Sequence, residues 1–204
     1  MFKTFLLTLL VVSFASWVAG QDKRVEVFGG FSYSTIDDHR SSQPIDHVGS
    51  LDGFNIAATG FVTKRFGITG DFSAGFHSGT EPVDIGTLRF SSKTFTYLAG
   101  PHYRFMTSSR WTPFVHALAG VANARFSYRL TPNGSTSPNP KVSQSATDFS
   151  LALGGGLDLR ANKHISVRLF QIDYAPVFAK DRPQFGAFGA RFDNVRFSIG
   201  VVFR

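Results

Sequence analysis

Cysteine is absent from all 204 residues. That excludes disulfides, thiolate metal centres and cysteine nucleophiles, and it closes the bacterial lipoprotein route. Glutamate is scarce: Glu26 and Glu81 are the two in the chain. Charged residues make up 17% of the sequence, against about 25% in an ordinary soluble domain. No apolar run approaches the roughly 20 residues that a spanning helix requires. A glycine-rich phosphate loop, paired catalytic carboxylates and a nucleophile elbow are also missing. The net charge is +7, yet the Lys and Arg are scattered rather than gathered into the stripe that a nucleic-acid surface needs. No helical period, internal repeat or second domain is visible. What the chain does hold is 23 phenylalanines and 20 glycines.

The first residues are Met1, Phe2 and Lys3, followed by an apolar run from Phe5 to Val12 and small residues from Ala15 to Gly20. A basic start, a short apolar core and a small-residue exit make a secretory signal, with cleavage expected after Gly20. Residues 1–20 are thus read as a cleaved signal peptide and 21–204 as one exported domain.

That domain alternates apolar and polar residues, which is the period of strands. The first strand, Arg24–Thr35, sets Val25, Val27, Phe31 and Tyr33 against Glu26, Ser32 and Ser34, with Phe28 out of phase. Asp37–Ser50 reads as a polar loop, Asp52–Thr63 as a second strand, and Lys64–Arg65 as a turn. The third strand has the clearest pattern: Phe66, Ile68, Phe72, Ala74 and Phe76 face one way, Thr69, Asp71 and Ser73 the other. His77–Leu88 reads as a loop, Arg89–Phe105 as a fourth strand and Pro113–Ser127 as a fifth whose faces the pattern does not assign. Tyr128–Thr147 reads as the longest loop, Asp148–Arg160 as the sixth strand and Ile165–Tyr174 as the seventh. In the seventh the apolar residues change phase, from Ile165, Val167 and Leu169 to Phe170, Ile172 and Tyr174, so a β-bulge is expected near Leu169. Pro176–Asp193 reads as a last loop. The eighth strand, Asn194–Arg204, sets Val195, Phe197, Ile199, Val201 and Phe203 against Arg196, Ser198, Gly200 and Arg204, with Val202 the exception.

The fold class expected is all-β: an antiparallel up-and-down transmembrane β-barrel of about eight strands, with short turns and long loops in alternation. A soluble barrel alternates too, with faces exchanged. The polar face decides: it carries Gly, Ser, Thr and Ala, which suit a narrow interior, and little of the Lys and Glu of a wetted surface. Tyr33, Tyr97, Tyr103 and Trp111 are expected near strand ends, at the lipid–water boundary.

The eighth strand resembles the closing strand of Gram-negative outer-membrane barrels, and the mature chain as a whole resembles the OmpA and OmpX type. In that family the last strand ends on an aromatic residue; here Arg204 follows Phe203. The resemblance implies an integral outer-membrane protein with periplasmic termini, with a structural or surface-interaction role. It implies partners in the outer-membrane assembly machinery, periplasmic chaperones in transit, and outer-membrane lipid and lipopolysaccharide.

No catalytic, cofactor or metal site is expected. His164 and Ser166 match the His-x-Ser of lipid A deacylases, which use the same barrel, but the pair belongs to the short-turn end and lacks an acidic partner. An enzyme of that kind is one alternative; a small porin is another. His39 and His47 beside Asp37, Asp38 and Asp46 suggest a metal only weakly, since loop charges are usually solvated. Asn133-Gly134-Ser135 is read as a turn. Asp71, His102, Arg104, Asp158, Arg160, Arg168 and Arg196 all fall on polar faces. They are expected to form a polar network filling the lumen, because unpaired buried charge is expensive.

Overall fold

The computed structural model describes residues 25–38, 50–106, 108–134, 139–179 and 191–204; for residues 36–38 the backbone alone is described. The expected signal segment 1–20 and the side chains of His39, Asp46 and His47 lie outside these residues. Within them the chain forms nine strands: β1 Val25–Asp38, β2 Leu51–Phe61, β3 Phe66–Val83, β4 Gly86–Arg104, β5 Trp111–Pro132, β6 Val142–Arg160, β7 Ile165–Tyr174, β8 Val177–Phe178 and β9 Arg191–Phe203. Every pairing is antiparallel: neighbours in sequence pair from β1 to β7, β7 pairs with β9, β8 bridges β6 and β9, and β9 closes on β1. The result is a closed ring of eight staves, as the alternation led us to expect.

The register fixes the shape. Paired residues lead from Phe28 through Ala57, Asp71, Leu98, Gly120, Ser150, Val177 and Phe192 back to β1 at Asp38, so residue 28 meets residue 38 after one circuit. A stagger of ten over eight staves tilts the strands by about 40°, given a rise of about 3.3 Å and a spacing of about 4.8 Å. Such a ring has an interior wide enough for side chains and little else.

Turn chemistry holds one end. Thr63 Oγ1 accepts the backbone N–H groups of Arg65 (3.2 Å) and Phe66 (2.9 Å), and Asn162 Oδ1 accepts those of His164 (2.8 Å) and Ile165 (2.9 Å). These side-chain turns pre-form the tight reversals after β2 and β6. Both chain ends of the ring, Val25 and Phe203, lie at this turn end.

The other end differs from the expectation. His77–Leu88 is not a loop: β3 and β4 continue as a hairpin to a two-residue turn at Asp84–Ile85. Most of Tyr128–Thr147 is likewise strand, in β5 and β6. Asp37 and Asp38 belong to β1, where they pair with Asp193 and Phe192. Val177–Phe178 and Arg191–Asp193, expected in a loop, are strand as well. Polar residues continue a ladder whose pairing was set inside the ring, because backbone hydrogen bonds do not depend on apolar side chains. So β3–β6 rise beyond the ring as a four-stranded extension.

The faces are inside out relative to a soluble protein. Phe31, Phe54, Ile56, Tyr97, Leu153, Ile172 and Phe203 are exposed on the outer wall, while Asn55, Ser150, Ser166, Asp173 and Ser198 are fully buried within. Tyr97 lies well inside β4 against Phe72, with ring centroids 5.1 Å apart, rather than near the strand end. The bulge is present in β7: Asp158 pairs with Arg168 and Leu157 with Phe170, leaving Leu169 without an opposite number. The two residues out of phase explain each other. Phe28 and Val202 are cross-strand partners that bury together with Ala57, an apolar patch inside a polar lumen. In β5 the interior receives Phe114, Leu118 and Ala122 along with His116, which is why its alternation is illegible.

One flank of the wall is thin. β7 ends at Tyr174, and Ala175–Pro176 leave the ladder before β8 resumes it with two pairs to β6 and two to β9. In the gap, Leu151 N–H donates to Pro176 O (3.2 Å), Ala175 N–H to Asn194 O (2.6 Å) and Ser150 Oγ to Pro176 O (3.1 Å).

Candidate functional site

The interior carries a continuous run of charge-assisted bonds. Arg196 on β9 is its centre. Its Nη1 donates to Asp71 Oδ1 on β3 (2.8 Å), while Nε (2.9 Å) and Nη2 (2.7 Å) both donate to Asp173 Oδ2 on β7. Asp71 Oδ2 accepts from Asn55 Nδ2 on β2 (2.8 Å). Asp173 accepts from Gln171 Nε2 (2.7 Å), and its Oδ1 lies 2.7 Å from His116 Nε2 on β5. Gln171 Oε1 accepts from Arg168 Nη1 (2.6 Å), and Arg168 grips Asp158 with Nε (2.8 Å) and Nη2 (3.3 Å). Arg196, Asp71 and Asp173 are 3%, 5% and 0% exposed. With so little water at hand, each carboxylate has to be satisfied by protein donors, and the planar guanidinium forks supply several at once.

Apolar parts hold the cations in place. The Arg168 guanidinium lies between the rings of Phe28 (4.3 Å) and Phe114 (4.1 Å), and that of Arg104 over Phe61 (3.8 Å). His102 stacks on Phe114 with centroids 4.9 Å apart. A side chain at Gly154 is excluded, because a Cβ there would meet Asp173 Oδ1 at 2.1 Å. Near the turn end a smaller cluster gathers on Glu26, which pairs with Arg104 and lies 2.7 Å from Arg204 Nε; Arg104 Nε also donates to Lys64 O (2.7 Å). Glu26, which has no obvious partner in the sequence pattern, thus receives two arginines. Among the described residues, one small cavity of about 10 Å³ lies beside His102 and His116 and another of about 30 Å³ beside Arg196 and Ala175.

All seven residues singled out on polar faces lie on the inward parity. Asp71, Asp158, Arg168 and Arg196 share the main run; Arg104 belongs to the Glu26 cluster; His102 makes ring contacts; Arg160 is half-buried near the β6–β7 turn. The residues that pattern reading missed are Asn55, His116, Gln171 and Asp173. Gln171 and Asp173 had a usable signal, since the bulge at Leu169 turns them inward. His116 had none, because β5 hides its phase. On the outer wall, Val195, Phe197, Ile199 and Phe203 are exposed, and Val201 is half-exposed. His164 is an exposed turn residue and Ser166 is fully buried, so the two do not form a pair open to substrate. Among the described residues no group of His, Asp and Glu is arranged to hold a metal.

The sequence model of the outer membrane protein beta-barrel domain matches residues 4–204. A search of curated protein sequences returns no match. Among solved structures, the attachment invasion locus protein Ail of Yersinia pestis is similar at 18% identity and a TM-score of 0.52, covering 88% of this chain and 97% of that one. The same protein in complex with the heparin analogue sucrose octasulfate gives a TM-score of 0.53. Neisserial surface protein A is similar at 16% identity and a TM-score of 0.53, with 89% and 97% covered. At these identities the likeness speaks for the fold.

Proposed function

Because the chain belongs to the outer membrane protein beta-barrel domain family, we propose that it is a sealed barrel with a structural and surface-contact role rather than a pore or an enzyme. It is a transmembrane β-barrel of the bacterial outer membrane. The observation that carries the sealed reading is the bonded run from Asn55 to Asp158, which ties β2, β3, β6, β7 and β9 together across the interior. A stream of ions would have to break buried pairs, each costly to separate. The non-enzymatic reading is supported by the buried Ser166, distant in environment from the exposed His164.

In the orientation proposed, the turn end and both termini face the periplasm and the β3–β6 extension faces outward. Residues 1–20 act as the export signal, periplasmic chaperones carry the chain, and β9 is the strand the assembly machinery engages. The outer surface meets anionic groups, those of outer-membrane lipid and lipopolysaccharide first. Ail has been solved with a sulfated saccharide, which is a ligand of the same charge class.

Planar-bilayer recording tests the central point. The purified barrel is expected to show no large steady conductance. A stable open channel would move the function to the porin class.

A further inference from the structure

The β3–β6 extension keeps an unbroken register along its whole length. Odd-numbered residues of β4 and β5 therefore stay on the outward side from ring to tip. Within the ring those positions hold Phe95, Tyr97 and Val121. Above it they hold Lys93 and Arg89 on β4, and Arg125 and Arg129 on β5. The ladder sets Lys93 opposite Arg125 and Arg89 opposite Arg129, and all four side chains are exposed. Like charges placed directly opposite destabilise a sheet unless something neutralises them.

Nothing among the described residues does so. Their same-face neighbours on β3 are Phe76, Ser78 and Thr80, and on β6 Ser143 and Ser145. Glu81 pairs with Leu88 on the opposite parity, and Asp148 is buried on the inward side. Among the described residues, the one side-chain hydrogen bond made by the four runs from Arg125 Nε to Asn123 Oδ1 (3.4 Å).

Height separates the two pairs. At a tilt of about 40°, two residues climb about 5 Å along the barrel axis. Lys93–Arg125 stand one such step above Phe95, which places them in the headgroup layer, about 5–7 Å deep in each leaflet. Arg89–Arg129 stand about 10 Å higher, above the headgroups of a simple phospholipid.

We propose that these four residues form a binding site for a phosphorylated glycolipid of the outer leaflet. The lower pair takes a phosphate at headgroup level, and the upper pair takes an anionic group carried on the sugars above it. Guanidinium forks match phosphate oxygens two at a time. The patch points sideways, in the same direction as the lipid-facing rings, so its ligand approaches within the membrane plane and not from solution. This inference rests on the proposed outer-membrane orientation and lipid contact and adds to them the site and the residues that form it.

The test uses the full mature chain folded in detergent micelles and titrated with purified lipopolysaccharide, phosphatidylglycerol and sucrose octasulfate. Lipopolysaccharide is expected to bind tightest. The quadruple variant Arg89→Ser, Lys93→Ser, Arg125→Ser, Arg129→Ser is expected to weaken it by about tenfold or more, since several charge-assisted bonds are lost. The control Lys64→Ser, Arg65→Ser at the turn end is expected to stay within about twofold of the parent. The quadruple variant relieves like-charge repulsion, so its urea midpoint should not fall, and that measurement separates lost binding from lost folding. Equal lipopolysaccharide affinity in parent and quadruple variant overturns the site. So does phosphatidylglycerol or sucrose octasulfate binding as tightly as lipopolysaccharide. Orientation is read separately: Ile85→Cys, in a chain with no other cysteine, should react with an impermeant maleimide on intact cells. An unlabelled Ile85→Cys overturns the orientation and with it the outer-leaflet ligand, whereas labelling with an unaffected quadruple variant overturns the patch alone.

Discussion

Asp173→Ala is the sharpest perturbation of the interior. Asp173 is fully buried and accepts two bonds from Arg196 and one from Gln171, and His116 Nε2 lies 2.7 Å away. Truncation strips the carboxylate and leaves Arg196 with Asp71 as its remaining anion. Removing one member of a buried ion pair costs about 3–5 kcal/mol, and the surviving Asp71 contact points to the lower part of that range. With a urea dependence of about 2 kcal/mol per M, a loss of about 3 kcal/mol lowers the unfolding midpoint by about 1.5 M. Asp173→Asn keeps the shape and one acceptor oxygen, and should lose less. Asp84→Ala, in the exposed tip of the β3–β4 hairpin, is the control and should stay within about 0.5 kcal/mol. The assay is equilibrium urea unfolding in lipid vesicles, read from Trp111 after residues 1–20 are removed. One shared midpoint for Asp173→Ala and Asp84→Ala would refute the reasoning, because the interior would then hold no pairs worth breaking.

Phe72 faces outward between Phe54 and Tyr97, so Phe72→Arg should cost about 2–4 kcal/mol of barrel stability in the same vesicles. A cost near zero would mean that this wall does not meet lipid. Deleting Leu169 removes the extra residue of β7, sets Phe170 outward in an unbroken ladder and keeps Gln171 and Asp173 pointing inward, so a folded barrel is still expected, as read by protease resistance in vesicles; loss of the folded form would refute the bulge register. Ser166→Ala should leave the lipid A of expressing cells unchanged by mass spectrometry. A missing acyl chain that returns with this substitution would overturn the non-enzymatic reading.

How far the sequence could be read follows from what each strand face has to do. In β3 the outer wall is Phe, Ile and Ala and the inner one Thr, Asp and Ser, so the pattern yields both strand and facing. In β5 the inner wall takes Phe114 and Leu118 beside His116, because Phe114 has to cover Arg168 and His102. Apolar residues then lie on both sides and the period vanishes. Phe28 and Val202 broke phase for the same reason, one packing on the other. The extension was read as loops because Ser, Thr and Gly dominate His77–Thr80 and Ser143–Thr147. Outside the membrane no lipid demands an apolar wall, and the backbone ladder continues without the side-chain alternation that advertises it. The acid at the heart of the interior, Asp173, was legible only through the bulge: once Phe170, Ile172 and Tyr174 are turned outward, Gln171 and Asp173 have to point in.

The break at Ala175–Pro176 bears on how the wall yields under load. A closed sheet has no free edge, so its mechanical strength is that of its most sparsely bonded seam. Between β6 and β9 that seam relies on the two residues of β8 and a proline that has no N–H to give. The cavity of about 30 Å³ lies directly behind it, bordered by Ala175, Val177 and Asn194. Opening there breaks few backbone bonds and already has room on the inner side, so amide exchange should reach Ser150, Leu151 and Asn194 well before the β3–β4 ladder. Among the described residues the barrel thus has one compliant flank in an otherwise continuous wall, and a transient breach between lumen and lipid would begin on that side.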